Sequence, residues 1–576
     1  METSTVRYLT HVARQPDRAP YTVPSHPAPI DLRLDANEGP SPPLEVIEAL
    51  AHLDNEVLRR YPGAQDLEAV LASKHGVEPQ RVVATAGADG AIDRICRAFL
   101  GPGRELVLPV PTFEMLGRYA DIAGAHTVEI DWPSGPFPTN DVLAAVGPDT
   151  AMIAVVSPNN PTGAVAENAD IVRLSQACPQ ALILVDAAYA EFAETDLTPL
   201  ALTLPNVVVT RTFSKAWGLA GLRVGYALAR TEVAQRLRAA GGPYDVCGVS
   251  IALALVRLRC DSDHIHDYIN RVRRERDELA ERIRALGGEP VPSQANFVFA
   301  RVRSAVWWRD SLAGQGIGIR TFPDHPRLSS CIRITCPGDE SSFSRVLKAL
   351  STSCQPEAIL FDLDGVLADV SRSYRRAIVE TADAFGVRVT LAEVARAKAS
   401  PDSNNDWVVT HRLVSARDVR VSLDEVTRRF ESVYQGTSAQ PGLWMTERLL
   451  PEVTWLERLR RRVRLGIVTG RPRSDAERFL RQAGVDALFD AVICREDAPP
   501  KPDPRPVALA LRRLGAERAW MVGDTPDDVR AARAAGVVPL GIVAPSDELS
   551  ITSERLLSAG AARVLDTLTQ LEELLP

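Results

Sequence analysis

At 576 residues the chain exceeds what one hydrophobic core usually supports, so several structural units are expected. Its net charge of −8, without a basic stripe interleaved with aromatic residues, argues against a nucleic-acid partner. The sequence contains no apolar run long enough to span a bilayer, and its start lacks the pattern of an export signal. These features predict a cytoplasmic protein without a membrane partner. The scattered cysteines form no CxxC pair, so we expect reduced structural thiols and no cysteine metal site.

Helical patterns alternate with short apolar runs such as ELVLPV, AMIAVVSP, ALILVDAAY and NVVVTRTFSK between residues 87 and 227. This alternation predicts an α/β fold with a mostly parallel sheet covered by helices. Helices rich in Arg, Ala and Leu then occupy residues 231–287, and a few strands follow, including ANFVFARV and CIRITCPG. The first part of the chain is therefore predicted to contain a large α/β and a small α+β portion.

A short turn-forming segment, STSCQP, at residues 351–356 separates this first part of the chain from a second part. A new apolar strand with an acidic end, AILFDLDG, begins directly after it, and strand–helix alternation restarts with RLGIVTGR, AVICRED and AWMVGDT. We therefore predict one domain over residues 1–350, a linker over 351–356 and a second domain over 357–576. Residues 370–445 are charged and helical in pattern, which predicts a helical insertion.

Lysine is rare in this arginine-rich chain, and Lys215 follows a predicted strand in RTFSKAWGLAGLRVGY. Only an amine can form a Schiff base, so this residue is a candidate for covalent chemistry with pyridoxal phosphate. The motifs SPNNPTG and VDAAYAEF lie at the ends of two preceding apolar strands, where α/β sheets build ligand sites. Together these segments supply the groups that this cofactor needs.

Each part of the cofactor has a candidate partner. Asp186 would pair with the pyridine nitrogen, Asn160 and Tyr189 with the phenolic oxygen, and Phe113 would stack on the ring. The phosphate would be held by these residues, partly at a helix N-terminus: Ala88, Asp89, Thr212, Ser214 and Arg223. Taken singly, Asp186 is also compatible with a helix cap, Phe113 with a core position and Asn160 with a turn.

These motifs resemble fold-type I aminotransferases, and most closely the histidinol-phosphate aminotransferase family, over about residues 15–350. The resemblance also includes APY at Tyr21, LDANEGP, RRYPG at Tyr61 and ANF. It implies a homodimer in which Tyr61 reaches the partner's cofactor phosphate. It further implies that substrate is bound by Asn37 and Arg333, with Tyr21 and Arg320 contacting the substrate's phosphate.

Two departures from the family pattern leave the amino acceptor open. Gly90 stands where an acidic residue usually follows Asp89, and the stretch GGPYDVCGVS is unusual. Related enzymes act on aromatic amino acids, and a sister family decarboxylates threonine phosphate.

The second half carries a different set of polar residues at successive strand ends. They are Asp362 and Asp364 in ILFDLDG, Thr469 in IVTGRP, Lys501 in APPKPDP, and Asp524 and Asp528 in MVGDTPDD. Phosphoryl transfer needs a nucleophile, a proton donor and concentrated positive charge. Asp362 would attack phosphorus, and Asp364 would protonate the leaving group and then activate water. Thr469 and Lys501 would bind the phosphoryl group, and Mg²⁺ would be bound by Asp362, Asp524, Asp528 and the Asp364 carbonyl.

This order of motifs resembles the haloacid dehalogenase superfamily, which implies a Rossmann-like domain with a helical cap. Asp364 favours phosphate-ester hydrolysis over dehalogenation, while Lys398 in the insertion leaves phosphonate cleavage open. The polar segment Ala397–Trp407 is interpreted either as part of the cap over the site or as a solvated loop.

For the whole chain we expect a bifunctional enzyme that uses small phosphorylated substrates and an amino donor such as glutamate. It would convert imidazole-acetol phosphate to histidinol phosphate and then hydrolyse that product. The alternatives are the same two activities on another phosphorylated amino compound, and a non-catalytic cofactor-binding regulator or scaffold.

Overall fold

The computed structural model describes residues 24–260, 262–398, 405–545 and 547–575. Its strands, in chain order, are β1 Leu32–Leu34, β2 Val82–Ala86, β3 Glu105–Val110, β4 His126–Asp131, β5 Thr150–Val156, β6 Leu182–Asp186, β7 Val207–Thr212, β8 Val224–Leu228, β9 Glu289–Val291, β10 Phe297–Arg301, β11 Ile317–Thr321, β12 Cys331–Thr335, β13 Ala358–Phe361, β14 Ala368–Asp369, β15 Gly436–Thr437, β16 Gln440–Pro441, β17 Arg448–Leu449, β18 Arg464–Val468, β19 Ala491–Ile493, β20 Ala519–Gly523, β21 Val538–Ile542 and β22 Arg563–Leu565.

The helices, in chain order, are α1 Leu44–Ala51, α2 Glu56–Arg59, α3 Gln65–His75, α4 Gly87–Phe99, α5 Met115–Ala123, α6 Thr139–Ala144, α7 Asn168–Ala177, α8 Thr198–Ala201, α9 Thr231–Ala240, α10 Gly248–Arg259, α11 Ser262–Ala285, α12 Ala305–Gly314, α13 Glu340–Cys354, α14 Tyr374–Ala384, α15 Leu391–Lys398, α16 Asp406–Ser415, α17 Leu423–Gln435, α18 Val453–Arg460, α19 Arg473–Gln482, α20 Arg505–Leu514, α21 Pro526–Ala534, α22 Leu549–Ala559 and α23 Gln570–Leu574. In the part of the chain that the structure describes, no helix is both long and apolar enough to cross a membrane.

The chain divides into two compact units, each made of separate segments. The first contains Leu34–Arg303 and Asp324–Phe343, and the second contains Ser25–Arg33, Ser304–Pro323 and the described residues from Ser344 onward. The predicted division at residues 351–356 therefore stays a prediction. The turn predicted there is wrong in part, because α13 continues through Cys354 and leaves Gln355 and Pro356 between the helix and the next strand.

The first unit is built on a seven-stranded sheet in the order β2-β8-β7-β6-β5-β3-β4. Only β8 runs antiparallel to its neighbours, so the prediction of a mostly parallel sheet is confirmed. Successive residues face opposite sides: Val82 belongs to one apolar cluster and Val83 to another. Because both faces are buried, the strands read as continuous apolar runs in the sequence. A smaller antiparallel arrangement in the same unit pairs β10 with β9 and β12.

The second unit contains a six-stranded parallel sheet in the order β19-β18-β13-β20-β21-β22. Helices α14 to α17, with the short β15–β16 hairpin, form the predicted insertion after β13. The carboxyl ends of β18, β13 and β20 lie side by side, so the polar residues that follow these strands meet at one sheet edge.

Segments before β13 complete the core of the second unit. The indole nitrogen of Trp520 in β20 donates to the Thr352 carbonyl of α13 at 2.9 Å. Trp307 of α12 packs edge-on against the Trp520 ring, with ring centroids 4.8 Å apart, and donates to the Ser353 carbonyl at 3.2 Å. A Cβ added to Gly314 would lie 2.7 Å from the Ala562 side chain, so α12 approaches the sheet edge closely.

Candidate active sites

Lys215 and Asp186 lie at the carboxyl ends of the adjacent parallel strands β7 and β6. The Lys215 amine donates to the Ala36 carbonyl at 3.0 Å and lies 5.5 Å from the centroid of the Tyr189 ring. Lys215 is partly accessible, whereas Asp186 is buried. The position at the strand ends is the one that the sequence predicted for a ligand site.

Asp186 is held by its neighbour on β7, because the Thr210 hydroxyl donates to Asp186 Oδ1 at 2.9 Å. Burial raises the pKa of the Asp186 carboxyl to about 6, while the Thr210 hydrogen bond and the charge of Lys215 oppose that rise. The carboxyl is at the end of a strand, so the alternative of a helix cap is not supported. A carboxylate in this setting is stabilised by a cationic partner such as a protonated ring nitrogen.

The predicted phosphate-binding residues meet beside the N-terminus of α4. Arg223, which has a left-handed φ of 51°, donates to the Ser214 hydroxyl at 3.2 Å and to the Asp89 carboxylate at 2.8 Å. The Thr212 hydroxyl donates to the Ser214 hydroxyl at 2.9 Å. The N-cap residue of α4 makes no side-chain cap, so the first backbone N–H groups of the helix can bind a ligand. Together with the Thr212 and Ser214 hydroxyls, these N–H groups form a site for an anion.

Asp245 is a residue of this region that sequence reasoning missed. Its carboxylate accepts a hydrogen bond from the Ala86 backbone N–H at 3.0 Å and pairs with Arg94 at 2.9 Å. A Cβ built on Gly90 would lie 3.6 Å from Asp245 Oδ2. The acidic group that the sequence lacks at position 90 is thus supplied close by from the unusual stretch GGPYDVCGVS.

Two of the predicted substrate residues of the first unit, Asn37 and Arg333, are buried and hydrogen-bonded. The Asn37 amide donates to the Tyr189 hydroxyl at 3.0 Å, and the Thr335 hydroxyl contacts the Asn37 side-chain oxygen at 3.0 Å. The Arg333 guanidinium donates to the Asn160 side-chain oxygen and, at 2.7 Å, to the Asp35 carbonyl. Asn160 is therefore more than a turn residue, because it bonds to an arginine on β12.

Three other predicted residues are described by the structure and lie apart from these contacts. Phe113 is half-buried and packs against an apolar cluster, as its alternative core interpretation required. Tyr61 is 81% exposed and stacks on Tyr244 with ring centroids 4.6 Å apart. Arg320 belongs to β11 in the second unit, 5.6 Å from the Phe322 ring. Tyr21 lies outside the described residues.

In the second unit, the carboxylates of Asp362, Asp524 and Asp528 form a buried group, with their ligand atoms within 4.8 Å of one another. Lys501 donates to Asp362 Oδ1 at 2.9 Å, to the Val468 carbonyl at 2.9 Å, and contacts Asp528. Gly365 has a φ of +74°, and a Cβ there would lie 2.2 Å from Asp524 Oδ2. Only glycine fits this close turn.

The three carboxylates strongly influence one another. Burial raises the pKa of Asp362, with Lys501 opposing this rise and Asp528 adding to it. Burial and the charges of Asp528 and Asp362 raise the pKa of Asp524 well above its usual value. A divalent cation would relieve this repulsion, and oxygen ligands are those that Mg²⁺ prefers, so the residues fit such an ion.

Asp364 is not part of this carboxylate group. Its Oδ1 accepts from Arg471 Nε at 2.6 Å, and the other side of Arg471 pairs with Glu447 at 2.8 Å. Thr469 is buried at the end of β18, where its hydroxyl accepts from the Arg471 backbone N–H at 3.2 Å. Sequence reasoning missed Arg471 as a site residue, although it stands two residues after Thr469 in the motif.

Lys398 of the insertion is half-buried, and its amine pairs with Asp406 at 2.9 Å. Burial would lower the pKa of Lys398, but Asp406 raises it above the usual value. The ion pair with Asp406 keeps this amine protonated, and the phosphonate-cleavage alternative stays a prediction. Of the segment Ala397–Trp407, residues 399–404 lie outside the described chain; Asn405 caps α16 through the N–H groups of Trp407 and Val408.

Comparisons with known proteins match both halves. Residues 29–350 match the family model of class I and II aminotransferases, and residues 356–536 match that of haloacid dehalogenase-like hydrolases. A histidinol-phosphate aminotransferase of Roseiflexus castenholzii is 38% identical over 338 residues, which cover 56% of this chain and 90% of that protein.

Two further relatives differ in coverage. The crystal structure of histidinol-phosphate aminotransferase from Sinorhizobium meliloti with pyridoxal-5'-phosphate aligns with a TM-score of 0.55 and 25% identity, covering 61% of this chain and 99% of that one. A Phytophthora nicotianae protein named imidazoleglycerol-phosphate dehydratase is 46% identical over 197 residues, 33% of this chain. The chain spans only 44% of the length of that relative.

Proposed function

Because the chain belongs to the class I and II aminotransferase family and is an enzyme with a haloacid dehalogenase-like hydrolase domain, we propose that it couples two reactions. The first is a pyridoxal-phosphate-dependent transamination, and the second is a Mg²⁺-dependent hydrolysis of a phosphate monoester. The observation that carries this proposal is the presence of two complete residue sets. Lys215 and Asp186 stand at neighbouring strand ends in one unit, and the Asp362, Asp524, Asp528 and Lys501 group stands in the other.

In the first unit the residues fit the cofactor part by part. Asp186 would face the ring nitrogen, Tyr189 and Asn160 the phenolic oxygen, and Phe113 the ring. The phosphate would lie among Thr212, Ser214, Arg223 and the backbone of Ala88 and Asp89. When bound, pyridoxal phosphate supplies an electron sink for the substrate's α-carbon. The Lys215 amine would accept the proton from the substrate's α-carbon, and Arg333 and Asn37 would orient the substrate.

In the second unit, Asp362, Asp524, Asp528 and the Asp364 carbonyl would hold Mg²⁺, which neutralises charge on the phosphoryl oxygens. Asp362 attacks phosphorus while Asp364 gives a proton to the leaving oxygen. Asp364 then removes a proton from the water that releases phosphate from Asp362. Thr469 and Lys501 hold the phosphoryl group throughout.

We assign imidazole-acetol phosphate with glutamate to the first reaction and its product, histidinol phosphate, to the second. The relatives named histidinol-phosphate aminotransferase support the first assignment. The relative named imidazoleglycerol-phosphate dehydratase supports a shared pathway. Chemistry supports the second assignment, since the first product carries the phosphate ester that the second unit is equipped to hydrolyse. Linking both enzymes in one chain also raises the local concentration of that product.

The test is phosphate release from imidazole-acetol phosphate by the purified full chain. Release is expected only when glutamate is supplied. Asp362→Asn should accumulate histidinol phosphate, and Lys215→Ala should release no phosphate from imidazole-acetol phosphate yet hydrolyse added histidinol phosphate. Glutamate-independent release would contradict the coupling, as would rapid hydrolysis of another ester beside none of histidinol phosphate.

We further propose that the chain is a homodimer formed by its first unit. Five large apolar side chains on α1, on α2 and just after α2 are each at least half exposed, namely Leu44, Ile47, Leu50, Leu58 and Tyr61. Exposed large apolar residues this close in sequence support an interface at this part of the first unit. Sedimentation should show a dimer that Leu58→Asp converts to monomer, whereas an active wild-type monomer would contradict the proposal.

A further inference from the structure

We propose that Arg471 is a positioning residue that holds the acid–base carboxylate of Asp364 and links its position to helix α17 of the insertion. This inference rests on the proposed phosphatase reaction. Arg471 Nε and Nη2 lie 2.6 and 2.5 Å from the same oxygen, Asp364 Oδ1. The Arg471 side chain is only 1% exposed, whereas that of Asp364 is 26% exposed, so a buried guanidinium holds a carboxylate that substrate can still reach.

The other side of the Arg471 guanidinium is connected to the insertion through Glu447. Arg471 Nη1 lies 2.8 Å from Glu447 Oε2, and Glu447 is 3% exposed. The other carboxylate oxygen of Glu447 accepts a hydrogen bond from the Tyr434 hydroxyl at 3.0 Å. Tyr434 belongs to α17, so a continuous chain of three contacts joins this helix to Asp364.

Aromatic rings enclose the same guanidinium. Its central carbon lies 4.9 Å from the Tyr374 ring centroid and 5.4 Å from that of Phe479. Tyr374 in turn stacks on Tyr434 with ring centroids 4.2 Å apart. A buried cation is tolerated when carboxylates and ring faces replace water around it. The planar fork of arginine suits this arrangement, and the ammonium of lysine does not.

The chemical consequence concerns the first half of the hydrolysis. As the Asp362 oxygen bonds to phosphorus, the bond from phosphorus to the ester oxygen breaks, and the proton of Asp364 passes to that oxygen. Both Arg471 contacts go to Oδ1, which leaves Oδ2 to carry the transferred proton. An alkoxide leaving group needs this proton, whereas 4-nitrophenolate leaves without it. A misplaced Asp364 must therefore slow the hydrolysis of alkyl esters more than that of the aryl ester.

The experiment compares release of the leaving group in a single turnover of the full chain with Mg²⁺, for propyl phosphate and 4-nitrophenyl phosphate. Arg471→Gln is expected to slow release of the alcohol by about 100-fold or more, the range of a lost general acid, and release of nitrophenolate by less than about 10-fold. Arg471→Lys should not restore the alkyl reaction. Tyr434→Phe, which keeps the ring stack, should shift the same ratio in the same direction by a few-fold.

Arg495→Gln is the matched control. Arg495 follows β19 and also contacts the insertion, because its guanidinium carbon lies 4.1 Å from the centroid of the Trp407 ring in α16. In the described part of the chain, its side chain makes no hydrogen bond or ion pair with Asp364, Glu447 or Tyr434. This substitution should change the rates of leaving-group release from both esters by the same factor. Equal losses for the two esters in Arg471→Gln, an unchanged ratio in Tyr434→Phe, or full rescue by lysine would overturn the inference. If the wild-type chain hydrolyses neither these two esters nor histidinol phosphate, the proposed phosphatase itself is wrong.

Discussion

At the scale of single residues, the buried carboxyl of Asp186 links the cofactor site to stability. Its pKa is raised from 3.8 to about 6, mainly because burial disfavours the charged form. The folded state therefore binds a proton more tightly than the unfolded chain. Between about pH 4 and pH 6 the folded protein holds more protons, so its stability falls as the pH rises.

We accordingly predict that the cofactor-free protein loses about 2 kcal/mol of unfolding free energy in the first unit between pH 4 and pH 7 through this group alone. Asp186→Asn removes the titrating group and should flatten that part of the pH dependence. Urea unfolding of both proteins across this pH range measures the difference. Asp277→Asn, at an exposed carboxylate, should behave as wild type, and identical pH slopes for wild type and Asp186→Asn would contradict the prediction.

The sequence could indicate candidate site residues that stand in short motifs. It could not indicate residues that reach the site only through contacts between distant parts of the chain. Lys215, Asp362 and Asp524 stand in motifs at strand ends, and the few residues next to each one are enough to identify the motif. Thr210 faces Asp186 only because β6 and β7 pair in that register. Glu447 reaches Arg471 from beyond the insertion, and no spacing in the sequence indicates that contact.

At the scale of elements, the capping of α21 involves Asp528, one of the carboxylates proposed to hold Mg²⁺. Asp528 Oδ2 accepts from the Thr525 backbone N–H at 3.0 Å and from its hydroxyl at 2.6 Å, and the Thr525 hydroxyl in turn caps the Asp528 N–H at 3.3 Å. This capping box fixes the carboxylate whose other oxygen faces Lys501.

We predict that Thr525→Ala lowers unfolding stability by about 1 kcal/mol and raises the Mg²⁺ concentration for half-maximal hydrolysis by roughly tenfold. Thr525→Ser, which keeps the hydroxyl, should lie near wild type. Ser422→Ala removes the equivalent capping box of α17 and should cost similar stability without changing the Mg²⁺ requirement. A metal titration with denaturation curves checks all three, and an unchanged Mg²⁺ requirement in Thr525→Ala would refute the link.

Most strands were predictable as elements, because a sheet buried on both faces demands apolar runs. The last turn of α13 was not, since Ser351, Thr352 and Ser353 favour turns in isolation. Here the Ser351 and Thr352 hydroxyls bond back to carbonyls one turn earlier, at 2.9 Å each. The buried indoles of Trp307 and Trp520 also bind the carbonyls of this turn, so tertiary packing overrides the local preference.

At the scale of the whole molecule, the second unit depends on that helix. We predict that a fragment covering residues 340–576, which retains α13, unfolds at least about 5 °C higher than one covering 357–576, because the shorter fragment exposes Trp520. Calorimetry on both fragments measures the difference. Trp520→Phe should lower the midpoint of the longer fragment more than that of the shorter one, and equal midpoints for the two parent fragments would contradict the prediction.

The segmented second unit also bears on how the chain is made. Helix α12 leaves the ribosome about 200 residues before Trp520, which packs against it. At usual rates of synthesis this delay is roughly 10–40 s. During that interval the residues of β20 that cover the apolar side of α12 have not yet been synthesised. This side includes Trp307, Trp308 and Leu312, which are buried in the folded protein. A nascent chain stopped within this window is therefore expected to bind chaperones through these exposed side chains.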